Sequence, residues 1–135
     1  MTYFLDTDIC IFVLRQTFPA ITQRMQRHAP DRVKIPSIVK AELLFGAKRA
    51  THPKRVAETV ERFLEPFEIV PFSDACAVTY AAIRWTLEEQ GQVIGPNDLL
   101  IAATALAHHG TLVTHNTQEF GRLGGLTIQD WTEPL

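Results

Sequence analysis

A chain of 135 residues, 46% hydrophobic and 21% charged with a mean hydropathy of +0.01, has the size and balance of a single domain with a real apolar core. A long disordered tail and a membrane span are excluded, because Asp6, Asp8 and Arg15 break the apolar opening and no run nears the ~20 residues a span needs. The net charge of -2 is unevenly spread: eleven of the thirteen Lys/Arg and four of the fifteen Asp/Glu lie between Arg15 and Arg62, which sets a basic middle segment against an acidic remainder. The opening also lacks a basic flank and a small-residue cleavage site, so it reads as a cytoplasmic chain without a leader. Cys10 and Cys76 lie inside apolar patterns without metal spacing and read as small core residues.

The first buried strand is Thr2 to Leu5, and Asp6 follows it, opening a helix. A second strand, Arg32 to Ile35, leads into a helix that begins at Pro36-Ser37 and carries Ala41, Glu42 and Phe45. After the break at Thr51-His52-Pro53 a partner helix runs to Phe63, and Glu68 to Phe72 is the third strand. Ser73 to Gln90 is the clearest helix, with a Ser N-cap, a stripe of Cys76, Tyr80, Ile83 and Leu87, and a stop at Gly91. Gly95-Pro96-Asn97 starts another, which ends at His109-Gly110. Thr111 to Thr114 and Leu126 to Gln129 complete the strands. This alternation predicts an α/β fold over residues 1–135, one domain, with a parallel sheet between helical layers; ligands of such sheets sit beyond the strands' carboxyl ends.

Several polar residues fall at that end. Asp6 can be the N-cap of its helix or a ligand, and Asp8 suits the exposed first turn. Glu42 lies between Ile38 and Phe45 on a partly apolar helix face, where a carboxylate needs a partner. The neighbouring Gly46, costly inside a helix, predicts close approach of another backbone. Asp98 stands in a first turn where the helix dipole favours its charge, and Asn116 follows a strand where turn chemistry accounts for an Asn. Together they converge, and converging carboxylates repel one another unless a hard divalent cation such as Mg²⁺ or Mn²⁺ relieves them. The five histidines follow no ligand spacing, so zinc is not expected.

The segments "FLDTDICIF", "IPSIVKAELLFGA" and "GPNDLLIAATALAHHGTLVTHNTQEFGRLGGLTIQDW", in this order across nearly the whole chain, resemble the PIN-domain ribonucleases, most closely the VapC toxins of bacterial toxin-antitoxin pairs. The resemblance implies a three-layer α/β/α domain whose parallel sheet has four to five strands in the order 3-2-1-4-5, assembled as a homodimer. It implies that Asp6, Glu42, Asp98 and Asn116 are the catalytic set, with Asp6 and Asp98 binding Mg²⁺, for which Mn²⁺ can substitute, and Glu42 and Asn116 orienting its waters. Thr7 and Thr114 supply nearby hydroxyls, and Asn at the fourth place, where many relatives have Asp, implies one well-held ion rather than two. The implied activity is a toxin's endoribonuclease, cutting tRNA, often the initiator tRNA in its anticodon stem-loop, and so inhibiting translation. A VapB-type antitoxin is the implied partner. Arg24, Arg27, Lys48, Arg49, Lys54 and Arg55 are candidates for phosphate contacts with the RNA.

Two other readings compete. A haloacid-dehalogenase-like phosphatase also begins with a strand and Asp-x-Asp, with Asp6 as nucleophile and Asp8 as acid/base, but Cys10 stands where that pattern wants Thr or Val and its later acidic motif is absent. A PIN-like module that binds RNA or a partner without cutting has no use for three assembled acids. The helical stretch from Pro53 to Phe67 reads as core, part of which can serve a dimer or an antitoxin segment.

Overall fold

The structure is a computed structural model and describes residues 1–134. Five short strands, β1 (Tyr3–Leu5), β2 (Val33–Pro36), β3 (Glu68–Val70), β4 (Thr111–Val113) and β5 (Thr127–Gln129), form one sheet in the order β3-β2-β1-β4-β5. Every pairing is parallel, with Phe4 beside Lys34 on one side and Leu112 on the other. The expected order and three-layer architecture are therefore present. Between the strands run α1 (Thr7–Arg15), α2 (Pro19–Met25), α3 (Ser37–Lys48), α4 (Pro53–Leu64), α5 (Asp74–Glu89), α6 (Pro96–Ala107) and α7 (Thr117–Phe120), with one 3-10 turn at Pro30–Arg32.

The core explains the order. Phe4 and Leu5 of β1, Ile35 of β2 and Leu112 and Val113 of β4 are fully buried, as strands covered by helices on both faces must be. Cys10 and Cys76 are buried free thiols, as their apolar surroundings predict. The long helix has its expected caps: Ser73 accepts from the Cys76 amide, and Gly91 takes the left-handed φ of 66° that stops the helix. Gly46 departs from expectation. No atom lies within 4 Å of where its Cβ would be, so it faces an open groove between α1, α3 and α4 rather than another backbone. The helices α2 and α7 and the 3-10 turn are additions, too short for a periodic signature.

Candidate active site

β1 ends at Leu5, and the next residue turns its side chain back onto the chain that follows. Asp6 caps α1, its Oδ1 accepting from the Ile9 amide at 2.9 Å, while its own amide donates to the Val113 carbonyl of β4 at 3.1 Å. The cap reading of Asp6 is present, and it uses only part of a carboxylate's accepting capacity, leaving Oδ2 for another partner. The residue is 4% exposed, and burial is the main cause that pushes its carboxyl up to about 6. Hydrogen bonds from Thr114 and Ile9 work against that shift, and the charges of Asp8 and Glu42 add to it.

Glu42 reaches the same cleft from α3. Its Oε1 accepts from the Thr7 hydroxyl and its Oε2 from the Asn97 amide at 3.3 Å, so the donor foreseen in Thr7 is there and Asn97 is a second. Asp98 comes from the first turn of α6 and is half-buried. Burial, then a hydrogen bond and the charge of Glu119, then Asp6 and Glu42, push its carboxyl up to about 7. Asp6, Thr7, Asp8, Glu42, Asp98, Asn116 and Phe120 line a polar cleft of about 240 Å³.

Glu119 is the residue that the sequence reading missed. Its Oε1 accepts from the Gly95 amide at 3.2 Å, its Oε2 from the Asn116 amide side chain at 3.0 Å, and it is hydrogen-bonded to Asp98. A Cβ on Gly95 would lie 3.7 Å from Asp98 and 3.8 Å from Glu119, so the start of α6 and α7 close on each other here. Three residues after Asn116, Glu119 thus brings a further carboxylate to the same end of the sheet. Asn-x-x-Glu, a polar cap followed by an acid at the third position, is the signal that could have found it.

The donors are all oxygen, which suits Mg²⁺ or Mn²⁺ and not zinc. Among the described residues no three Asp, Glu, His or Cys side chains stand together in ligating geometry. A magnesium-type ion does not require that, because it takes one or two carboxylates and keeps several waters. The raised carboxyls of Asp6 and Asp98 are the second sign of fit: acids that repel one another in a buried cleft are stabilised by a cation.

The basic candidates divide. Arg49 and Arg55 line a second cavity, about 610 Å³ between α1, α3 and α4, together with Arg15, Ile11, Leu43 and Val60, and Glu42 lies at its edge. Arg24 is engaged elsewhere, donating to the carbonyls of Glu133 and Pro134. Arg27, Lys48 and Lys54 are not among the residues lining the acidic cleft.

A crevice between β1 and β4, where the strand order reverses, with acids from β1, α3 and α6 around it, defines a PIN-type α/β domain. The chain belongs to the PIN domain family, whose sequence model matches residues 3–126. It is 36% identical to Ribonuclease VapC2 of Rickettsia felis over 97% of this chain and 98% of that protein. To the tRNA(fMet)-specific endonuclease VapC of Shigella flexneri it is 33% identical, over 98% and 99%. The VapBC2 complex of Rickettsia felis bound to a promoter DNA fragment contains a chain that superposes with a TM-score of 0.92, at 36% identity over 97% of this chain and 99% of that one. VapBC-1 of nontypeable Haemophilus influenzae gives 0.92 at 34%, over 98% and 100%.

Proposed function

We propose that this protein is a divalent-metal-dependent endoribonuclease of the VapC toxin type that cuts tRNA, the initiator tRNA above all, and thereby inhibits translation. The observation that carries the reading is the convergence of Asp6, Glu42, Asp98 and Glu119 at one end of the sheet, with Asp6 and Asp98 held well above the usual carboxylate range. Asp6 and Asp98 are the direct ligands in this reading. Held there, Mg²⁺ or Mn²⁺ would supply an oriented and acidified water and a positive charge that offsets the phosphodiester's oxygens. Glu42, fixed by Thr7 and Asn97, orients that water together with Asn116, while Glu119, itself bonded by Asn116, positions Asp98. Water attack leaves a 5'-phosphate and a 3'-hydroxyl and does not use the 2'-hydroxyl, so RNA preference rests on shape and on access to unpaired nucleotides.

The cavity between α1, α3 and α4 suits the antitoxin: apolar pockets at Ile11, Leu43 and Val60 for anchors, with Arg15, Arg49 and Arg55 for acidic side chains of a VapB-type tail. A cationic antitoxin side chain carried into the acidic cleft beside it would take over the cation's place. A homodimer belongs to the same reading, and α5 leaves Val78 and Trp85, seven residues apart on one helix, exposed to solvent. No helix among the described residues is long and apolar enough to cross a membrane.

The test is cleavage of purified tRNA by the protein freed of any antitoxin, with end mapping of the products. Cutting with Mg²⁺ or Mn²⁺, none in EDTA, and none by folded Asp98→Asn are expected. Undiminished cleavage by Asp98→Asn would overturn the assignment.

A further inference from the structure

Beside the acidic cleft, three rings meet. Phe12 of α1 and Phe18, the residue before α2, are in edge contact at 4.9 Å between centroids. His115, the residue before the cleft-lining Asn116, lies 5.9 Å from Phe12 and 6.0 Å from Phe18. Its Nδ1 is 2.9 Å from Asp130 Oδ2 and 3.1 Å from the Thr132 hydroxyl. Asp130 is itself fixed, because the Thr132 hydroxyl and amide both donate to its Oδ1, at 2.6 and 2.9 Å. An acceptor-only carboxylate assigns the ring hydrogen to Nδ1.

The His115 side chain is nevertheless 53% exposed. A surface histidine with no task is free to change rotamer; this one is held at one edge by Asp130 and flanked by two phenyl rings, which leaves the rest of the ring open to solvent. Its placement gives the geometry a use. Phe12 stands six residues along α1 from Asp6, about 9 Å by helical rise, and His115 adjoins Asn116 in the chain. The cleft itself is acidic, and no Lys or Arg lines it to hold the phosphates that flank the one being cut. Aromatic stacking adds affinity for a polyanion without charge, and every base has a face for it.

Resting on the ribonuclease reading above, we propose that His115, backed by Phe12 and Phe18 and clamped by Asp130, forms a stacking subsite for an unpaired RNA base next to the cut phosphodiester. The subsite selects for nucleotides already unstacked in a loop, since a paired base cannot reach it. It recognises a base face, not a base edge, so it places the substrate without specifying its sequence.

The test compares wild type with His115→Ala, His115→Gln and His115→Phe on an RNA hairpin and on bis(4-nitrophenyl) phosphate, a small diester with no base. His115→Ala and His115→Gln are expected to raise the hairpin KM about tenfold or more relative to that of the small diester, the loss of one stacked base, with kcat little changed. His115→Phe restores it. In an Asp98→Asn background, a hairpin with 2-aminopurine in its loop should be quenched on binding, and the quench should vanish with His115→Ala. An unchanged hairpin KM in His115→Ala, or rescue by Gln and not by Phe, overturns the subsite. Loss of antitoxin affinity with RNA kinetics intact also overturns it and assigns the rings to the protein partner. Failure of wild type on both substrates overturns the ribonuclease reading, and the subsite with it.

Discussion

Asp98 and Asp6 set the pH response of the protein. Their carboxyls lie at about 7 and about 6 in the folded chain, well above the ordinary Asp value of about 3.9, so the folded state binds protons that the unfolded state releases. Between roughly pH 4 and 7 stability therefore falls as pH rises, and above that window both ionised acids weigh against the fold. In EDTA the melting temperature should be higher at pH 5.5 than at pH 8, and Asp98→Asn should flatten that difference. Adding Mg²⁺ at pH 8 should raise the melting temperature of wild type and leave Asp98→Asn unmoved; equal rises in both would remove Asp98 from the ion site. Glu119→Gln tests the residue that escaped the sequence: it should lower the Asp98 carboxyl, seen as a shift of the pH-rate profile toward acid. The gathering of Asp6, Glu42 and Asp98 in one cleft was legible from their places at strand ends and helix starts taken together and from the family resemblance, since Asp6 and Asp98 each had a local explanation as cap or first-turn acid. Glu119 was not, since Asn116 already explained its turn and α7 is a single four-residue turn with no periodicity to read.

At the scale of elements, boundaries follow close contacts that periodicity does not show. Gly110 ends the turn from α6 into β4, and a Cβ there would lie 2.4 and 2.6 Å from ring carbons of the buried Phe4. Gly110→Ala forces that ring aside in a filled core and is expected to cost about 1–3 kcal/mol, measurable as a lower urea midpoint with an unchanged slope. The four longest helices, each of 12 or 16 residues, were legible from caps and stripes. The mistaken inference about Gly46 has a physical reason: a helix glycine also occurs where a groove must stay open, and sequence alone does not separate an approaching backbone from a space kept clear. If that groove seats the antitoxin, Arg49→Glu combined with Arg55→Glu should loosen the complex about tenfold or more by titration calorimetry, through charge reversal at the rim. Unchanged affinity would place the antitoxin elsewhere.

In the whole molecule the order β3-β2-β1-β4-β5 puts the reversal of winding between β1 and β4, and the acids gather at that crevice. The order itself was legible only through family resemblance, because strands of three or four residues carry no pairing information. The far end of the chain is tied down separately. Trp131 is 1% exposed, with its ring 5.4 Å from His28 and 5.2 Å from Tyr3, and Arg24 holds the carbonyls after it. Trp131→Ala should cost about 3–5 kcal/mol, read by chemical denaturation; a loss below 1 kcal/mol would show the segment to be dispensable.

The Asp6 cap has a further consequence when the chain is followed in the order of its synthesis. Its carboxylate belongs to residue 6, its hydrogen-bond partner Thr114 and the amide-to-carbonyl link at Val113 arrive more than a hundred residues later, and Glu119 later still. A growing chain thus holds Asp6 and Glu42 long before it holds a cleft. Fragments that stop short of α6, whether nascent or clipped by a protease, lack both Asp98 and Glu119, half of the acids, and those that stop short of β4 still lack Glu119 and the strand that anchors Asp6, so a complete cleft exists only in nearly finished molecules.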